Sequence, residues 1–292
     1  MPSTRDIRRR IKSVKSTAQI TKAMQMVAAS RMRRAQQAAL AGRPYATLLS
    51  EIIAPLSGTL GNFQNPLVED RPVKKRCVIL VGTDRGLCGA LNGNLLREAA
   101  KYDRDTTVYI TAGRKAAQFV ARTKRQLVAE FTYKDTPEFS EARAISKFAQ
   151  ELFAKKEVDR VEVIYTQFIS TLNQKVEVKP LLPVGEIEGA KSGIGSQSER
   201  AALMQGAAEF VYEPGQEQVL GALLPHSLNF EIYQILLEAK ASEQSARMVA
   251  MKNATDNAQQ LIKDLTLEYN KLRQANITKE LLEISSAAMA LG

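Results

Sequence analysis

The C-terminal stretch 228-LNFEIYQILLEAKASEQSARMVAMKNATDNAQQLIKDLTLEYNKLRQANITKELLEISSAAMAL-291 contains neither glycine nor proline. Apolar or small residues recur at Ile232, Ile235, Ala239, Ser242, Ala246 and Val249, resume at Leu261, Leu265 and Leu272, and finish at Ile277, Leu281, Ile284, Ala288 and Leu291. Steps alternating between three and four lay one stripe of a helix against another helix. At 1.5 Å per residue such a helix is roughly 95 Å long, too long to pack alone inside one compact domain.

A matching segment stands at the other end of the chain. From Ser3 to about residue 56 the first glycine is Gly42 and the first proline Pro44, and Ala, Arg, Lys, Gln and Met, all good helix formers, dominate. Ser3 is placed to cap this helix, with Asp6 in its first turn. Ile7, Ile11, Val14, Ala18, Thr21, Gln25, Ala28, Met32, Ala35 and Ala39 keep the same rhythm, with Ile20, Met24 and Val27 as a second stripe beside it. Many seam positions are small, which lets a partner helix come close. At roughly 80 Å this helix is the shorter of the two, so in an antiparallel pair the C-terminal helix projects past its start.

Between the two helices the period changes. Residues 76–82, 107–111, 126–131 and 160–168 read as strands, and 175–184 as an edge segment because of Pro180. Helical stretches fall near Asn92–Lys101, Arg114–Arg122 and Glu138–Lys155, and strand alternating with helix at this pitch predicts a mostly parallel sheet. The expected fold class is α/β: a long antiparallel coiled coil of the N- and C-terminal helices plus a central Rossmann-like domain. The expected boundaries are 1–56 for the first helix, 57–73 for a linker, 74–200 for the α/β domain, 201–227 for a connecting helix and turn, and 228–292 for the last helix. Residues 185–197 read as a loop, Glu213–Pro214–Gly215 as a turn, and a helix from Gln216 to Leu224 as ending at Pro225.

Composition narrows the chemistry. The 292 residues carry 41 Lys+Arg against 31 Asp+Glu, a net charge of +10. Residues 1–45 hold Arg5, Arg8, Arg9, Arg10, Lys12, Lys15, Lys22, Arg31, Arg33, Arg34 and Arg43 against the single acid Asp6, so the rest of the chain is balanced. A single histidine, His226, excludes a multi-histidine metal site and reads as a helix-start residue. Cys77 and Cys88 make no disulfide framework and suit a reducing compartment. No stretch reaches the roughly 20 apolar residues of a membrane span, and the basic start lacks the apolar core of a secretory signal.

The segment 82-GTDRGLCGALNGN-94 follows a strand and opens a helix, where phosphate loops sit. Its glycines fit neither the P-loop nor the dinucleotide fingerprint. The alternative is a tight turn in which Asp84 and Arg85 pair with or cap backbone groups. The basic first helix invites a nucleic-acid reading, yet Arg8, Arg9 and Arg10 spread over about 300° of the helix at 100° per residue, and no aromatic residue precedes Tyr45. Unopposed charge costs stability through self-repulsion. An acidic protein partner, nucleic acid and plain solvation all remain open on composition and pattern.

Four blocks, 6-DIRRRIKSVKSTAQITKAMQMVAASRMRRAQ-36, 83-TDRGLCGALN-92, 241-ASEQSARMVAMKNATDNA-258 and 268-EYNKLRQANITKELLEISSAAMA-290, resemble in sequence and order the γ-subunit family of F-type ATP synthases. The family's tail motif carries Gly where this chain has Ala287. The resemblance implies a non-catalytic rotor without cofactor or metal, whose terminal helices turn inside a ring of α and β subunits. It implies ε-subunit and c-ring partners at the other end, and a peripheral place on the cytoplasmic face of a bacterial inner membrane. Carried over residue by residue, it implies contacts to the ring at Met24, Arg247, Arg273, Gln274, Thr278, Leu281, Ile284 and Ala288. Tyr212 and Glu213 fall where the family meets the c-ring and ε. The redox-switched cysteine insertion of the photosynthetic branch is missing, so thiol regulation by that route is not expected.

Overall fold

A computed structural model describes residues 3–53, 65–184, 213 and 215–291. Helix α1 spans Thr4–Ile53 and α5 spans Gln216–Leu291. Between them run β1 (Arg76–Val81), α2 (Leu91–Ala100), β2 (Thr107–Ala112), α3 (Arg114–Arg122), β3 (Gln126–Phe131), α4 (Phe139–Ala154), β4 (Arg160–Phe168) and β5 (Gln174–Leu182). Each strand and helix expected between the two long helices is present within a residue or two. The predicted loop 185–197 lies outside the described residues.

One expectation is corrected. The helix does not stop at Pro225: α5 is continuous from Gln216, and His226 lies in its interior, not at a helix start. Proline costs an interior helix one hydrogen bond and a steric clash. Here the flanking residues outweigh that cost, because Leu220, Leu224 and Leu228 are all buried on one face. His226 packs edge-on against Tyr45, with ring centroids 5.9 Å apart.

The chain divides into two compact units. One comprises residues 1–28 and 248–292 and the other residues 29–247. In the first, α1 and α5 pair antiparallel. Ser3 caps α1 through its hydroxyl, which accepts the Asp6 N–H at 3.2 Å, and the Asp6 carboxylate accepts the Ser3 hydroxyl at 2.7 Å. Thr21 and Thr255 join their hydroxyls across the seam at 2.7 Å. Nearer the start of α1 the Arg8 guanidinium hydrogen-bonds the Tyr269 hydroxyl and lies over its ring. Ile7, Thr21 and Ala28 of α1 are buried, as are Met251, Thr255, Ala258 and Leu265 of α5. Leu261, expected on the seam, is 40% exposed. Half-buried Ile262 takes its place, because steps of four and three from Met251 through Thr255 and Ala258 arrive at 262.

The second unit is built on a five-stranded sheet of order β3-β2-β1-β4-β5. The first three neighbour pairs are parallel, and β5 runs antiparallel along β4 at the edge, with Pro180 opposite Glu162. Strand β1 is central and reads as a continuous apolar run because both faces are covered. On one face Val78, Leu80, Tyr109 and Ile164 pack against Leu95 and Ala99 of α2 and Ala116 and Val120 of α3. On the other, Ile79, Ile110 and Val163 meet Ile145, Ala149 and Phe153 of α4, together with Ile232, Ile235, Leu236 and Ala239 of α5. The lower half of α5 is therefore a core element of the α/β unit. A Cβ at Gly42 of α1 would run into the side chain of Gln234 of α5, so the two helices come close here as the small seam residues predict.

Candidate functional site

In a doubly wound sheet, ligands bind beyond the carboxyl ends of the strands, where the strand order reverses. Here that point lies between β1 and β4. The loop after β1 is occupied by its own side chains. The Thr83 hydroxyl donates to the Arg85 carbonyl at 2.8 Å, and Asn92 Nδ2 donates to Thr83 Oγ1 at 2.8 Å and reaches Cys88 Sγ at 3.3 Å. The Asp84 carboxylate accepts the Arg114 N–H at 3.1 Å at the start of α3, putting a fixed negative charge where a phosphate would have to sit. The Arg247 guanidinium of α5 donates to the carbonyls of Arg85 and Gly86 at 3.3 and 3.2 Å. The loop is a self-satisfied turn in which Asp84 caps a backbone group, as expected of it, with α5 plugged into it.

Both thiols lie in this unit and both are free. Cys77 is fully buried in β1, and burial pushes its thiol up to about 12. Burial also raises the Cys88 thiol, only partly offset by the Arg247 charge. Neither is poised as a nucleophile.

The remaining surfaces are of a kind that proteins cover with partners. On α1, Arg5, Arg8, Arg9, Arg10, Lys12, Lys15 and Lys22 are exposed. Among the basic residues of α1 whose side chains are described, only Arg31 makes an ion pair, with Asp135 at 2.6 Å. Beyond Leu272 the seam on α5 has no counterpart on α1, and every described side chain from Arg273 to Ala287 is exposed. Arg273, Ile277, Leu281, Ile284 and Ala288 fall within about 80° of one another at 100° per residue. Lys279 and Glu283 pair on the opposite side at 3.7 Å. The tip is thus an amphipathic helix whose apolar side is exposed: Leu281 is 62% and Ile284 67% exposed.

The residues expected at contacts are distributed as follows. Arg273, Gln274, Thr278, Leu281 and Ile284 share the exposed tip. Ala288 lies on the same helix, its side chain outside the described residues. Met24 is half-buried on α1, and its stripe companions Ile20 and Val27 are 57% and 50% exposed. Arg247 is turned inward, held by Glu243 at 2.7 Å and by the loop carbonyls. Glu213 is exposed in a bend, and Tyr212 lies outside the described residues. No cluster that could hold a metal ion is present among the described residues, and none of their helices is long and apolar enough to cross a membrane.

An antiparallel helix pair with an exposed tip in one unit, and in the other an α/β sheet whose ligand crevice is filled by its own helix, define a structural assembly subunit. The ATP synthase family profile matches residues 3–291. An ATP synthase gamma chain of Opitutus terrae is 49% identical, covering 99% of both chains. One of Methylacidiphilum infernorum is 46% identical over the whole of both. The fold matches a chain from a Euglena gracilis mitochondrial ATP synthase structure of OSCP, F1 and c-ring with a TM-score of 0.68 at 21% identity, over 99% of this chain and 94% of that one. The chain belongs to the ATP synthase gamma-chain family, whose members are non-catalytic stalk subunits. None of these relatives is named for binding nucleic acid.

Proposed function

We propose that the chain is the central-stalk rotor of an F-type ATP synthase, coupling proton-driven rotation of a c-ring to the conformational cycle of catalytic β subunits. The observation that carries this reading is the bare tip of α5. An apolar stripe of Ile277, Leu281 and Ile284, about 11 Å long, ending a helix pair and exposed on one chain, suits a sleeve formed by other subunits. Apolar contact is non-directional, so a helix can turn in such a sleeve without breaking fixed hydrogen bonds. The exposed positive charge of α1 favours acidic loops on the surrounding α and β subunits.

Arg273, Gln274 and Thr278 then make polar contacts with β at the upper end, with Leu281, Ile284 and Ala288 in the sleeve and Met24 lower on α1. Tyr212 and Glu213 face the c-ring and ε. Membrane association is indirect through the c-ring, on the cytoplasmic face of a bacterial inner membrane. Purification of the tagged chain from gently solubilised membranes tests the reading. Co-purification of stoichiometric, acidic ATPase subunits is expected, and recovery of the chain alone or with nucleic acid contradicts it. ATP-driven proton pumping tests the polar contacts: Arg273→Ala with Gln274→Ala lowers it, whereas wild-type coupling in the double variant removes both residues.

A further inference from the structure

The stretch of α5 from Ile235 to Ser245 is buried on every side, yet Glu238, Lys240, Ser242, Glu243, Gln244 and Ser245 are polar. Lys and Glu are almost never fully buried unless paired, and Lys240 and Glu243 are paired in a chain of charges. Arg31 of α1 meets Asp135, in the connection between β3 and α4, at 2.6 Å. Asp135 meets Lys240 at 3.4 Å, Lys240 meets Glu243 at 3.1 Å, and Glu243 meets Arg247 at 2.7 Å. Arg247 ends the chain on the Arg85 and Gly86 carbonyls. Lys240 also lies over the ring of Tyr133, 5.1 Å from its centroid, and the Tyr133 hydroxyl donates to the Gly82 carbonyl at 2.9 Å. On the β4–β5 side the Ser245 hydroxyl donates to the Thr171 carbonyl at 2.7 Å.

We propose that this buried ionic path is a register lock, with Asp135 and Lys240 as positioning residues that hold α5 against sliding or turning within the α/β unit under load. Burial of an ion pair adds little net stability compared with apolar groups of the same size. Its geometric demand is another matter. An apolar socket holds a helix without fixing its axial or rotational position, because burial is non-directional. The Lys240–Asp135 pair, the Arg247 bonds to the loop carbonyls and, on the opposite side of the helix, the Ser245 bond to Thr171 are satisfied together at one position only: a shift of one residue turns the helix by about 100° and moves it about 1.5 Å. The lock rests on the rotor reading for its purpose, since a helix driven by torque is the one that must not slip.

Two measurements separate the lock from that reading. In the isolated full chain, amide exchange of residues 235–247 is compared in wild type, Asp135→Asn, Lys240→Met and the double variant. Exchange is expected to quicken about tenfold in each single variant and no further in the double; unchanged exchange in all three overturns the lock. In the ATPase reassembled in vesicles with each chain, the protons pumped per ATP hydrolysed are expected to fall at least about twofold while hydrolysis continues; an unchanged ratio in both single variants overturns the assignment to torque. Asp135 has a side chain 53% exposed, so its neutralisation leaves the fold standing even if Lys240→Met does not. A wild-type chain that fails to join the ATPase overturns the rotor reading alone, and the exchange result still decides the lock.

Discussion

At Gly113 the backbone has φ = +102°, and a Cβ there would run into the carbonyl of Gly82 in the neighbouring turn. Gly113→Ala is expected to destabilise the α/β unit by upward of about 2 kcal/mol, read as a lowered midpoint of chemical unfolding. Ionisable side chains give the same unit a direction with pH. Burial raises the Cys77 thiol to about 12 and lifts the phenols of Tyr133 and Tyr165, with nearby carboxylates adding to the burial effect on both tyrosines. A group whose proton is held more tightly when folded contributes stability that is complete below its unfolded pKa and is lost as pH rises toward the folded one. Unfolding midpoints are therefore expected to fall from about pH 9 upward, and Cys77→Val should flatten the first part of that decline. A thiol titration belongs at this scale too. Cys77 should react with a polar disulfide reagent only when the chain unfolds, and Cys88 earlier than Cys77.

Helix α1 illustrates what was legible at the scale of elements. Its seam could be read from spacing alone because Ala28, Met32, Ala35 and Ala39 follow the period that their burial later obeys. Ala35→Leu should cost about 1–3 kcal/mol by overpacking this seam. The overhang of α5 was equally legible, since two helices of unequal length must leave one end bare. Pro225 misled because local chemistry favours a break, whereas the decisive contacts of Leu224 and Leu228 lie far away in sequence. Leu261 misled because an apolar residue one step off the seam has the right chemistry on the wrong face. The ionic path was invisible for a different reason. Spacing places Ala239, Ser242 and Ala246 on the seam, and only the fold reveals that α1, α4, the loop after β1 and the β4–β5 turn surround the polar residues between them. A signal existed in 238-EAKASEQSAR-247, where a helix stripe continues through small and charged residues without any strongly apolar side chain.

At the scale of the molecule, the charge of α1 and the bare tip of α5 make sense together. Exposed basic residues without acids to pair with and an apolar stripe without a cover are both liabilities on a lone chain. Leu281→Asp with Ile284→Asp should leave the unfolding midpoint of the isolated chain within about 0.5 kcal/mol of wild type, because both side chains are already exposed. The same pair should lower coupled pumping sharply once the chain is assembled. The most direct measurement fixes the catalytic subunits of the purified complex to a surface and attaches a bead to this chain through Asp103→Cys, on an exposed turn. Added ATP is expected to drive the bead round in one direction through repeated full turns. A complex that hydrolyses ATP at its full rate while the bead stays still would contradict it.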